Sequence, residues 1–427
     1  MKRTVAFKTL GCRLNQYETD ALVSQFYKAG YKIVDFADDT DVCIVNTCTV
    51  TNKSDQKSRN IINQAGKHDQ MVVVTGCMAN HYQTQLEEQE QITYVVPNEQ
   101  KSSIFSLIDA HFKGEIIHLP DTSRDIFNYE VAEKSFHTRC MVKIQDGCDN
   151  FCSFCIIPSV RGRAVSRPVN DVIKNVTDAL GLGYKEIVLT GVNIGRYQYE
   201  DDNFEKLVGK ILEVPGDFRV RISSIEPDGF GDRFFDLLSH PKLCPHLHLC
   251  LQSGSDKVLL QMRRMYTTRE YLSIIEKIKA RYPAFNFTTD VIVGFPGETE
   301  EDFNATCEIV RQVGFSHVHT FPYSVRDHTR AARMPDQVTE RVKSQRSKII
   351  RDITENNKLQ YRQSFVGQEQ IVLTEKIRSN TAKGYGQHYL PIEITGKDLV
   401  PNAFYKVLLT GIQEGKEPLL KGILLNE

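Results

Sequence analysis

Along the first hundred positions, short apolar runs alternate with longer stretches whose apolar residues recur every three to four positions. That alternation predicts strands and helices in succession around a parallel sheet. Thr4 to Thr9 reads as a strand. Residues 17–29 read as a helix with Leu22, Phe26 and Ala29 on one side and Gly30 at its end. Asp41 to Asn46 is a mostly apolar run, as a buried parallel strand requires, and Asp55 to His68 follows as a long polar helix. Met71 to Thr75 is a third strand. A helix, a strand at Ile92 to Val96 and a helix from about Lys101 to Phe112 complete a doubly wound parallel sheet domain over residues 1–115. Residues 113–135 lose periodicity and carry mixed charge, so 116–135 is assigned as a linker.

The β/α alternation resumes at Arg139. Strands are expected at 139–145, 185–190, 218–223, 246–251, 287–293 and 316–321. Helices are expected at about 168–182, 203–213, 231–238, 256–280 and 299–313, and a charged one at about 338–363. Six strand–helix units over 136–363 suit a partial (β/α)6 barrel with right-handed crossovers and a wide lateral opening. Residues 364–427 switch to short alternating segments (EQIVLTEKI, LPIEIT, AFYKVLLTGIQ, PLLKGILL), with turn chemistry expected at Gly384 to Gln387. They read as a small all-β domain.

With 427 residues the chain is long enough for two or three domains. Its formal charge of −1 provides no global field for a polyanion, so any nucleic acid must be held by a local patch. No apolar run approaches the roughly 20 residues needed to span a bilayer. The opening residues MKRTVAFKTLGC pass straight into a strand pattern, which points to a cytoplasmic protein rather than a secreted one. In a reducing compartment, clustered cysteines are metal ligands or catalysts more often than disulfides.

The eleven cysteines are not evenly spread. Cys148, Cys152 and Cys155 stand in a C-x3-C-x2-C spacing within GCDNFCSFC, and no further cysteine or histidine follows until His240. Three thiolates on one loop can wrap one face of a metal centre and leave a position open. An iron–sulfur cube would keep one iron free of protein ligands; structural zinc would want a fourth ligand. Cys12, Cys48 and Cys77 each follow a predicted strand in a short turn (LGC, NTC, TGC). The loops after the carboxyl ends of a doubly wound sheet meet at one crevice, so these three can form a second thiolate set or can be buried fillers. Cys43 lies within its strand and reads as a small buried residue, and Cys140, Cys244, Cys250 and Cys307 are expected to pack.

The residues just past the barrel strands include Gly191, Ser224, Glu226, Gln252 and Asp290, the last inside its strand. They supply backbone donors, a hydroxyl and carboxylates where a barrel places its site.

GCDNFCSFC, with Phe154 before its last cysteine, resembles the radical S-adenosylmethionine enzymes. LGCRLNQYETD and NTCTVTNKSDQKSR resemble the N-terminal signature of the methylthiotransferases within that superfamily, closest to the branch acting on tRNA threonylcarbamoyladenosine. The resemblance covers the whole chain. It implies two [4Fe–4S] clusters, a radical cluster on Cys148, Cys152 and Cys155 and an auxiliary one on Cys12, Cys48 and Cys77. It implies S-adenosylmethionine bound by its amino and carboxylate groups to the open iron, for which Gly191, Ser224, Glu226, Gln252 and Asp290 are the candidate contacts. It implies tRNA as substrate, with a reductant and a sulfur donor as further partners, and a methylthio group inserted at carbon 2 of a hypermodified adenine. The sister branches acting on isopentenyladenosine or on a ribosomal-protein aspartate share all six cysteines, and a non-enzymatic iron–sulfur RNA-binding module is the rival from another class. The C-terminal domain occupies the place of a TRAM domain. Arg161, Arg163 and Arg167 after the cysteine loop, and Arg326, Arg330 and Arg333 after the last strand, are candidate contacts to RNA phosphates.

Overall fold

A computed structural model describes residues 2–67, 70–116, 126–133, 137–413, 415 and 418–425. They form two compact units: residues 1–182 with 190–192 and 324–332, and residues 183–189 with 193–323 and 333–427.

The first unit is built on five parallel strands, β1 (Thr4–Thr9), β2 (Lys32–Val34), β3 (Val42–Thr47), β4 (Met71–Gly76) and β5 (Tyr94–Val96), in the order β2-β1-β3-β4-β5. β3 and β4 are buried along their whole length, which explains their unbroken apolar runs. Helices α1 (Arg13–Lys28), α2 (Asn52–Ala65) and α3 (Ile104–Lys113) flank the sheet. α1 begins four residues before the expected start, directly after Cys12. Its opening turns bury the polar Asn15, Glu18, Thr19 and Asp20, so hydropathy does not mark the start. Edge strand β2 was not expected from the pattern, being three residues long. The expected end of the polar helix at His68 lies outside the described residues, as does much of the assigned linker. The described part, 126–133, packs Tyr129 against Tyr17 and Ala21 of α1. The unit continues through β6 (Cys140–Lys143), the cysteine loop and α4 (Val169–Gly181).

The second unit carries β7 (Glu186–Thr190) paired in parallel with β8 (Arg219–Ile222). It also holds a parallel sheet of Ser224–Ile225, β9 (His246–Leu249), β10 (Asn286–Val293) and β11 (His317–Pro322). Helices α5 (Phe204–Glu213), α6 (Arg233–Leu237), α7 (Asp256–Gln261), α8 (Thr268–Arg281), α9 (Glu300–Val313) and α10 (Glu340–Gln363) follow the expected succession. One expected helix, 256–280, is two: Arg263 turns to φ 61° and Thr267 caps α8 with a capping box to Glu270.

The C-terminal segment is a closed five-stranded barrel of β12 (Glu369–Arg378), β13 (Thr381–Gly386), β14 (Pro391–Thr395), β15 (Phe404–Gln413) and β16 (Leu419–Leu424), in the order β12-β13-β14-β16-β15. Its core includes Val372, Ile392, Ile394, Val407, Leu409 and Leu420. The turn expected at Gly384 to Gln387 is instead the end of β13. A Cβ on Gly384 would lie 2.0 Å from the Leu373 carbonyl oxygen, so glycine serves close strand packing there rather than a turn.

Candidate functional site: two cysteine triads and a buried charge network

The sheet order puts the β1–β3 boundary at the point where the chain reverses direction across the sheet, the place where doubly wound folds bind their ligands. Cys12 follows β1, Cys48 follows β3 and Cys77 follows β4. A Cβ on Gly11 would sit 2.7 Å from the Cys48 Cβ and 3.0 Å from its Sγ, so this turn must be glycine for the first and second loops to meet. Cys48 is pushed up to about 11 by burial and by the proximity of Cys77 and Cys12. Cys77 is raised by burial, against the opposing charge of Arg161, and also feels Cys12. The three thiols therefore share one electrostatic neighbourhood, as the strand-end pattern predicts. Cys12 is exposed while Cys48 and Cys77 are buried.

The second triad lies on an irregular loop. The Asn150 N–H approaches the Cys148 Sγ at 3.5 Å, and the Cys155 N–H donates to the Cys152 carbonyl at 3.0 Å. Phe151 is held at φ 47°, a strained position that bends the loop between the first two cysteines. A tetrahedral ion would need thiolates about 3.8 Å apart given its metal–sulfur bond length. Among the described residues, His248, Asp290 and His319 bring their ligand atoms within 4.8 Å of one another. Three thiolates with no fourth protein ligand on the loop suit a cube that keeps one iron open. The Arg161 side chain is buried, and its charge and hydrogen bonding oppose the rise that burial gives the Cys77 thiol, so it suits an anionic sulfur centre at that cysteine.

Arg161 overturns part of the phosphate expectation. Its Nη1 donates to Glu18 Oε1 at 3.1 Å and to Asp146 Oδ2 at 3.0 Å, and its Nη2 to Asn15 Oδ1 at 2.7 Å. Lys143 reaches Glu18 at 3.0 Å and Asp146 at 2.6 Å, and Lys101 pairs with the other Glu18 oxygen. Arg167 is buried with Asn175 at 2.7 Å, and Arg326 is buried against Asp55 at 2.6 Å and Asn52 at 2.7 Å. Arg161, Arg167 and Arg326 are thus not phosphate contacts: their side chains are buried and their terminal nitrogens bond carboxylates and amides of the same unit. Arg163, Arg330 and Arg333 are exposed. Arg163 bonds Asp149 at 2.9 Å and lies over the Phe151 ring. Asn15, Glu18 and Asp146 were not singled out by sequence; for Asn15 and Glu18 the signal was available as polar residues near the start of a largely buried helix.

In the second unit Ser224, Glu226, Gln252 and Asp290 lie on or just past neighbouring strands. Ser224 is exposed, and Glu226 pairs with the buried Arg264, which sequence reasoning also passed over. Gln252 is buried at φ 64°, its N–H bonded to the Asp290 carbonyl at 2.8 Å. The Asp290 carboxylate meets His248 Nε2 at 3.2 Å, while His248 Nδ1 bonds Thr288 at 3.0 Å. Burial raises Asp290, but the hydrogen bond from His248 and the charges of His248, His319 and Arg264 outweigh it and hold the group low. Gly191, half-buried, follows β7 in the first unit.

A β/α succession with an open three-thiolate loop after its first strand defines a radical S-adenosylmethionine enzyme. Residues 142–310 match the Radical SAM superfamily and residues 4–97 match the Uncharacterized protein family UPF0004. Threonylcarbamoyladenosine tRNA methylthiotransferase MtaB of Bacillus subtilis (strain 168) is 38% identical over 421 residues, covering 95% of this chain and 93% of that one. Its namesake in Thermotoga maritima is 34% identical, covering 96% and 95%. The tRNA-2-methylthio-N(6)-dimethylallyladenosine synthase of Endomicrobium trichonymphae is also 34% identical, covering 88% and 90%. The radical S-adenosylmethionine methyltransferase TsrM from Kitasatospora setae, with cobalamin and a [4Fe–4S] cluster bound, shares the fold at a TM-score of 0.56 and 16% identity, over 78% of this chain and 77% of that one. The chain belongs to the radical S-adenosylmethionine tRNA methylthiotransferase family. A [4Fe–4S] cluster and S-adenosylmethionine are the cofactors of that superfamily. Among the described residues no helix is long and apolar enough to cross a membrane.

Proposed function

We propose that this protein inserts a methylthio group at carbon 2 of threonylcarbamoyladenosine beside the tRNA anticodon, in the cytoplasm, by radical C–H activation. The observation that carries the reading is the relative from Bacillus subtilis, matched across 95% of the chain, together with all six cysteines standing in two loop sets. Cys148, Cys152 and Cys155 hold the radical cluster; Cys12, Cys48 and Cys77 hold the auxiliary one. Bound there, the clusters and S-adenosylmethionine supply the reducing electron, the radical that reaches a C–H bond of no useful acidity, and the sulfur to be transferred. The chain's own residues orient and exclude. Gly11 keeps the space at Cys48 clear, and burial keeps water from Cys48 and Cys77. Gly191, Ser224, Glu226, Gln252 and Asp290 contact S-adenosylmethionine through backbone groups, a hydroxyl and carboxylates. Arg163, Arg330 and Arg333 contact tRNA phosphates. A reductant and a sulfur donor complete the partners.

The test is anaerobic, reconstituted protein given tRNA carrying threonylcarbamoyladenosine or, separately, isopentenyladenosine, with the nucleosides read by mass spectrometry. A methylthio gain on the first substrate alone is expected. A gain on the second alone would overturn the substrate assignment. Cys152→Ala is expected to abolish S-adenosylmethionine cleavage. Cys48→Ala is expected to spare cleavage and abolish methylthiolation; normal methylthiolation by this variant would remove the auxiliary cluster from the mechanism.

A further inference from the structure

We propose that Arg161 is a positioning residue for the auxiliary cluster: a fixed buried cation that sets the electrostatic potential at Cys77 and ties that cysteine to the strand end carrying Cys148. The inference rests on the reading that Cys12, Cys48 and Cys77 hold a cluster.

Arg161 is reached by groups from several directions within the first unit. Glu18 and Asn15 come from α1, and Asp146 precedes the cysteine loop by two residues. Asp146 Oδ1 accepts the Gly147 N–H at 2.8 Å, and the carbonyl of Gly162, the next residue after Arg161, accepts the Cys148 N–H at 3.2 Å. Arg161 therefore bears on the start of the radical-cluster loop through its carboxylate partner, and the backbone of the next residue holds the same start. On its other side, the short helix that Arg161 ends (Ile157–Arg161) packs against an auxiliary ligand: Ile156 and Val160 share a buried cluster with Cys77, and the Asn98 amide that donates to the Val160 carbonyl at 3.0 Å lies 4.0 Å from the Cys77 Sγ. Its side chain is 1% exposed, so its charge is not screened by water. Three cations (Arg161, Lys101 and Lys143) face two carboxylates (Glu18 and Asp146), which leaves one positive charge in excess beside the thiolates.

Iron–sulfur potentials respond to nearby charge and to hydrogen bonds at sulfur. A cation stabilises the reduced, more negative cluster. Removing it shifts the potential down, and removing a neighbouring carboxylate shifts it up. A role confined to holding the fold gives no such opposition of sign.

The experiment uses the full chain with Cys148, Cys152 and Cys155 replaced by alanine, so that any iron and any paramagnetic signal belong to the auxiliary site. Iron content, electron paramagnetic resonance and a potentiometric titration are compared for Arg161, Arg161→Gln, Arg161→Lys and Asp146→Asn. Arg161→Gln is expected to lower the midpoint potential, Arg161→Lys to restore most of it, and Asp146→Asn to raise it. Unchanged potential and line shape in Arg161→Gln would overturn the inference. If Arg161→Gln does not retain iron, Asp146→Asn decides: a potential unmoved or lowered there overturns it. Absence of iron in the chain with Arg161 intact would instead overturn the auxiliary-cluster reading itself, and this inference with it.

Discussion

Glu18 is the residue on which the first unit's interior balances. It is 1% exposed and touches Lys101, Lys143 and Arg161. Burial pushes its carboxyl up, and Arg161, Lys101 and Lys143 together outweigh burial, holding it well below the ordinary glutamate value of 4.5. Asp146 is lowered in the same way, chiefly by Arg161 and Lys143 against burial. Lys101 goes down rather than up although it pairs with Glu18, because its own burial outweighs the attraction. Replacing Glu18 by glutamine strands these cations, and such a loss costs about 3–5 kcal/mol. Chemical denaturation of Glu18→Gln at neutral pH is expected to show that drop. A carboxylate with a depressed folded-state value contributes its full stability above its unfolded value and loses it as pH falls toward the depressed one. Wild-type stability is therefore expected to decline below about pH 4.5. Glu18→Gln should show a shallower decline over the same window.

At the level of elements, the capping box at Thr267 is what starts α8 after the backbone reversal at Arg263. Thr267→Ala is expected to lower stability by about 1 kcal/mol, read as a shift in denaturation midpoint without a change of slope. The same junction shows where sequence reading succeeds and where it stops. Strands such as Val42–Thr47 and Met71–Gly76 were legible because burial on both faces leaves nearly continuous apolar runs. The cysteine sets were legible because the end of a parallel strand is a fixed place, whatever the distance along the chain. The break inside 256–280 was written in Thr267 and Glu270 but masked by helical periodicity on both sides. The opening turn of α1 was not legible from hydropathy at all, since Asn15 and Glu18 are buried by pairing rather than by apolarity. For the same reason Arg161, Arg167 and Arg326 looked like surface charges: spacing reveals that an arginine follows a strand, while its partners come from segments over a hundred residues away or from the next helix.

For the whole molecule, a net charge of −1 offers a polyanion no global attraction, so the proposed tRNA contacts must act as a local patch of exposed cations. Arg163→Ala, Arg330→Ala and Arg333→Ala are each expected to weaken tRNA binding and to reduce the slope of log affinity against log salt by about 1. Arg326→Ala is expected to lower stability with no change in that slope, and binding isotherms at several salt concentrations separate the two behaviours. The C-terminal barrel belongs to the second unit through polar contacts as well as through chain continuity. Arg219 donates to the carbonyls of Ile371 at 3.1 Å and Tyr385 at 2.9 Å, and Asn286 donates to that of His388 at 2.6 Å. Arg221 stacks over Tyr389. A stop codon between α10 and the barrel is therefore not harmless. Ending translation after α10 would delete an RNA-sized surface on paper, but in the folded chain it would leave Arg219 and Asn286 with severed bonds deep in the unit that remains. Its phenotype would be loss of protein rather than loss of one binding step.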